Sequence, residues 1–96
     1  MAIPQARAIT FEIWGPIARS DLPGLCQRIC ILLEQTAPVV AYCNVASVDP
    51  DAVTIDALAR LQLVARRRGC QIRLRHASPA LLALLEFLGL SDVLPA

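Results

Sequence analysis

Few residues in this chain are of a type that carries chemistry, and their spacing does not assemble a site. Cysteines stand at 26, 30, 43 and 70, with no Cys-x-x-Cys and no histidine beside them, so neither zinc-ligand spacing nor a thioredoxin-type motif is present. Cys26 and Cys30 fall four apart on an expected helix and would need two further ligands from elsewhere in the fold to hold a metal. The simpler role for all four is that of a small apolar core residue, kept reduced in a cytosolic protein. A thiol enzyme built on Cys43 or Cys70 would require a cation that lowers the thiol pKa, and Cys70 does neighbour arginines in sequence. His76, the single histidine, closes an expected strand with no Ser or Asp at a spacing that suggests a triad. No catalytic, cofactor-binding or metal-binding residue is expected, no cofactor is implied, and the chain is read as a non-enzyme.

Charge narrows the partner class. The segment from Arg60 to Arg75 holds six arginines and no acid, a pattern that suggests nucleic acid when it forms a stripe. The first half of the chain lacks matching basic residues, and Trp14 is the one candidate flat aromatic for the open sheet face. Arg66, Arg67 and Arg68 at a helix C-terminus are accounted for by the helix dipole and by solvation. A formal net charge of +1 sets no global electrostatic preference. Solvated charge or an acidic protein surface is therefore expected, and not nucleic acid.

The elements that must position these residues follow from periodicity. Ile9, Phe11 and Ile13 alternate with Thr10, Glu12 and Trp14, the pattern of a strand with one dry face. A helix with Ser20 as N-cap and Pro23 in its first turn runs to about Gln35, burying Leu22, Leu25, Cys26, Ile29, Leu32 and Leu33 and exposing Ile31. The stretch from Val39 to Val45 is almost continuously apolar, as a central strand is. A second helix starts with Asp49 as N-cap and Pro50 at N1 and buries Val53, Ala57, Leu58, Leu61, Val64 and Ala65. Asp56 and Arg60 lie opposite in the favourable acid-first order. A third strand, Gln71 to His76, puts Ile72, Leu74 and His76 on one side and Gln71, Arg73 and Arg75 on the other. A last helix, capped by Ser78 with Pro79 at N1, buries Leu81, Leu84, Leu85 and Leu88.

Two arginines on one side of a strand exclude a second helical layer there. The expected fold is a single α/β domain: a parallel sheet joined by right-handed crossovers, helices on one face, and an open face carrying Thr10, Glu12, Arg73 and Arg75. Glu12 would pair with an arginine if the outer strands were neighbours. Residues 1–7 are expected to be loose. The hydrophobic fraction of 56% exceeds the usual ~45–50%, so some apolar side chains must lie on the surface. That favours a protein partner or a homodimer. No apolar run approaches the ~18–20 residues of a membrane span and no signal peptide precedes the first strand, so a cytoplasmic protein is expected.

The string from Val39 to Leu94 resembles the STAS domain of bacterial anti-sigma factor antagonists. Its marks are a hydrophobic strand, an acidic helix start, the run Leu-Ala-Arg-Leu-Gln-Leu-Val-Ala-Arg-Arg-Arg-Gly-Cys-Gln-Ile-Arg-Leu, then Ala77-Ser78-Pro79 and a Leu-rich helix ending at Gly89-Leu90. The resemblance covers about the last three fifths of the chain and implies a small STAS-like fold; the family's N-terminal strand pair looks shortened. In that family the second helix commonly opens with Asp-Ser-Ser-Gly, whose second serine is phosphorylated by an anti-sigma kinase. The alignment brings Asp51 onto the motif's Asp, Ala52 and Val53 onto its serines, and Thr54 onto its Gly, so the usual acceptor position is Val53. Thr54 becomes the nearest candidate phosphoacceptor, expected to face outward. The resemblance implies a regulatory protein-interaction module that docks an anti-sigma factor or serine kinase through Asp51, Thr54, Ile55, Asp56, Arg60 and Leu63. The alternative it implies is a structural accessory subunit bound to the ATPase of a bacterial ABC-type lipid transport system, which needs no phosphoacceptor.

Overall fold

The computed structural model describes residues 7–96. The expected loose start therefore lies, apart from Arg7, outside the described residues. Arg7 itself is tied down: its carbonyl accepts from the Val39 and Val40 amides, and its guanidinium donates to the Thr36 carbonyl at 3.2 Å.

The chain runs β1 (Ala8–Trp14), a 3₁₀ turn (Arg19–Asp21), α1 (Leu22–Thr36), β2 (Val40–Ser47), α2 (Ala52–Arg67), β3 (Gln71–Arg75) and α3 (Pro79–Phe87). The strands form one parallel sheet in the order β1-β2-β3. This is the expected α/β architecture. The apolar β2 is central because it must be dry between two neighbours. Alternation then sets the layers. Ile13, Ala41, Cys43, Val45, Ile72 and Leu74 are buried beneath the helices, while Thr10, Glu12, Arg73 and Arg75 lie exposed on the other side. Leu58, Leu61, Leu81 and Leu85 reach 0–1% exposure from the helical layer, each stabilising the fold by roughly 1.5–3 kcal/mol.

Several expected details are corrected. β2 separates β1 from β3, so Glu12 stands beside Asn44, and Arg75 lies one strand further on. Among the described residues Glu12 has no ion pair, and Arg75 instead lies over the Tyr42 ring, 4.1 Å from its centroid. β3 ends at Arg75; His76 turns out of the strand at φ 60 and is exposed, not directed to the dry face. Ser20 falls inside the 3₁₀ turn, and Asp21 becomes the residue before α1, its carboxylate accepting from the Ala18 amide at 3.0 Å. Leu88, expected in the core, is 47% exposed because α3 ends at Phe87 and the chain turns away.

The two outer edges of the sheet are treated differently. On β3, the Gln62 side chain accepts from the Ile72 amide at 2.8 Å and donates to the Ile72 carbonyl at 3.0 Å and the Val93 carbonyl at 2.7 Å. The Leu74 amide donates to the Pro95 carbonyl at 2.8 Å. A side-chain amide and the last residues of the chain thus occupy the hydrogen-bonding positions a fourth strand would take.

Candidate functional site

The helix start singled out by sequence is built by Asp51. Asp51, not Asp49, is the N-cap of α2: its backbone is extended and its Oδ1 accepts from the Thr54 amide at 2.8 Å. The reason is local, since Pro50 precedes the helix and does not enter it. This cap satisfies one of the free amides of the first turn and is worth about 1 kcal/mol.

The residues after Asp51 do not all face outward. Thr54 is 1% exposed and Ile55 6% exposed, which corrects the expectation for both. Thr54 lies four residues before Leu58 and three before Ala57, so helical spacing puts it on the dry face. The expected stripe was rotated because it was anchored on Val53 and Val64, both of which are only half-buried. Among the described residues the Thr54 hydroxyl has no hydrogen-bond partner. The hydroxyl is enclosed, not on the outward face where the phosphoacceptor was expected.

The outward line of α2 is Asp56, Arg60, Leu63 and Arg67, recurring at helical spacing. Arg60 Nε donates to Asp56 Oδ1 at 2.9 Å, and Arg19, from the 3₁₀ turn, donates to Asp56 Oδ2 at 3.3 Å. The Arg60 hydrogen bond, followed by the charges of Arg60 and Arg19, holds the Asp56 carboxyl below its ordinary pKa. Leu63 is 58% exposed beside these charges. Further along, Arg68 donates to Cys30 Sγ at 3.2 Å and to the Glu34 carboxylate. Cys30, Val64, Arg67 and Arg68 line a shallow groove of about 310 Å³ between α1 and α2. Sequence reasoning missed Arg19 and Glu34 because their partners lie more than thirty residues away. Gln62 carried a usable signal, a lone amide four residues after Leu58 on the dry face.

The six arginines of the basic run are divided between two sides of the molecule. Arg60 and Arg68 are paired on the helical layer, whereas Arg73 and Arg75 point from the open sheet face. Asn44, within β2, accepts from the Ala46 amide through its Oδ1 at 3.0 Å.

Three thiols, Cys26, Cys43 and Cys70, shift away from reactivity. Burial pushes Cys43, fully enclosed, up to about 12 and raises Cys70 as well, the reverse of what a thiolate nucleophile requires. Burial also raises Cys26, with Arg60 opposing it. Among the described residues, no three His, Cys, Asp or Glu side chains converge as a metal site, and no helix is long and apolar enough to cross a membrane. What the outward line of α2 offers is a row of paired charge with the exposed Leu63 in it.

No family model and no curated protein matches the chain. Among solved structures it is similar to a sulfate transporter family protein from Wolinella succinogenes, with a TM-score of 0.72 and 26% identity over 98% of this chain and 75% of that one. The likeness fits a STAS-like fold.

Proposed function

We propose that this chain is a cytoplasmic, non-enzymatic docking module that engages a protein partner through the start and outward line of α2. The observation that carries this reading is Leu63, an exposed leucine in line with a fixed Arg19–Asp56–Arg60 cluster. Large side chains ringed by oriented charge are the composition of a protein contact. Asp51 and Asp56 supply the acidic end of the surface, and Arg60 and Arg67 the basic end.

The similarity to a sulfate transporter family protein supports a transport-associated role, that of a STAS-like accessory subunit whose partner is a component of the transport machine such as its ATPase. Val53 at the usual acceptor position and the enclosed Thr54 hydroxyl support the same reading, which needs no phosphorylation. A second reading, the anti-sigma antagonist that binds a serine kinase, is favoured by one feature: Asp51 is retained at the head of the helix.

Affinity capture from the native host distinguishes the two, recovering a transporter component in the first case and a kinase-type anti-sigma factor in the second. Leu63→Arg is expected to abolish the capture with the melting temperature unchanged. Undiminished capture by that variant would move the contact off α2.

A further inference from the structure

We infer that two copies of this chain associate edge to edge through β1, in antiparallel register centred on Phe11, to make one continuous six-stranded sheet. This surface is separate from the outward line of α2 and does not depend on that line's role.

The first ground is the contrast between the two sheet edges. The β3 edge is occupied by the Gln62 amide and the Pro95 carbonyl. Among the described residues nothing occupies the outer edge of β1. Strand edges left open are commonly guarded by Lys, Pro or inward charge, yet Ala8–Trp14 reads Ala-Ile-Thr-Phe-Glu-Ile-Trp and has none of these guards on its dry side.

The second ground is the gradient of burial across the sheet. On β2 and β3 the side chains facing the helices are fully enclosed, with Ala41, Cys43 and Ile72 at 0% and Leu74 at 1%. On β1 the equivalent Ile9 and Phe11 are only half-buried. Ile13, near the end of the strand, is enclosed at 3%; along Ile9 and Phe11 the dry layer ends in water, and a further strand on that side would close it.

The third ground identifies that strand as a second copy. Antiparallel pairing about Phe11 sets Phe11 against Phe11 and Ile9 against Ile13 on the dry side. On the open side it sets Thr10 against Glu12 and Ala8 against Trp14. Apolar residues meet apolar ones, no like charges meet, and the large Trp14 falls opposite the smallest side chain of the strand. A one-residue slip sets the dry-side residues of one copy against the open-side residues of the other, with Phe11 opposite Thr10 or Glu12. A register centred on Glu12 would oppose two carboxylates.

Sedimentation equilibrium over a wide concentration range tests this, using two variants at the exposed Thr10, whose side chain lies outside the core. Thr10→Glu faces Glu12 of the other copy twice and is expected to weaken dimerisation about tenfold. Thr10→Arg makes two opposite-charge pairs and is expected to strengthen it several-fold. In the unmodified protein, hydrogen exchange of the β1 amides should slow as concentration rises. A monomer at every concentration, or a dimer indifferent to both variants, overturns the inference. Loss of partner capture by Leu63→Arg leaves it untouched, so the two proposals fail separately.

Discussion

Thr54 and Cys43 show how burial alone sets what a side chain can do. The Thr54 hydroxyl is enclosed without a partner, and a buried polar group without a hydrogen bond costs about 1–3 kcal/mol. Thr54→Val is therefore expected to stabilise the fold by about 1 kcal/mol, raising the melting temperature by ~4–8 °C in a domain of this size. Calorimetry checks it; a lower melting temperature would mean the hydroxyl is bonded. Cys43 gives a pH dependence. Its thiol is held protonated, with its pKa moved from 9.0 to about 12, so above pH 9 the unfolded chain loses a proton that the folded chain keeps. The stability from this group is complete below pH 9 and is lost as pH rises toward 12, at roughly 1.4 kcal/mol per unit. Urea unfolding between pH 8 and 11 should show the decline. Cys43→Ala should reduce its slope while lowering stability at pH 8.

At the scale of elements, Gln62 joins α2, β3 and the closing residues of the chain through one amide. Gln62→Ala leaves the Ile72 amide and carbonyl and the Val93 carbonyl without that partner. A loss of about 3 kcal/mol is expected by urea unfolding, with faster hydrogen exchange at Ile72 and Leu74. Gly15 fixes the exit from β1: a Cβ there would stand 2.8 Å from the Ser47 carbonyl oxygen and 3.0 Å from the Val48 Cα, both backbone atoms. Gly15→Ala should therefore lower the melting temperature by more than loss of the Asp51 cap, worth about 1 kcal/mol, because backbone cannot swing aside as a side chain does.

For the molecule as a whole, one face of the sheet carries the helices and the other is left to solvent, with Arg75 resting on Tyr42. The α2 line and the β1 edge look in different directions, so a dimer through β1 leaves α2 free to dock. Leu63→Arg and Thr10→Glu should be additive, each removing one association and sparing the other. Placing arginines on both the helical layer and the open face also explains why a basic run in sequence does not become a single basic stripe in space.

Strand alternation, the apolar β2 and the Ser78-Pro79 start were sufficient to place all three strands and all three helices, because those signals act over neighbours a few residues apart. The one-sided layering followed from Arg73 and Arg75 for the same reason. The rotation of α2 was not legible while Val53 anchored its stripe, and so Thr54 and Ile55 were turned the wrong way. The central place of β2 followed from its apolar run, whereas the Arg19–Asp56 and Glu34–Arg68 pairs, the Gln62 clamp and the β1 edge, unoccupied among the described residues, depended on contacts between distant parts of the chain. Local pattern decides which side of an element is dry; only packing decides which distant groups meet on the wet side.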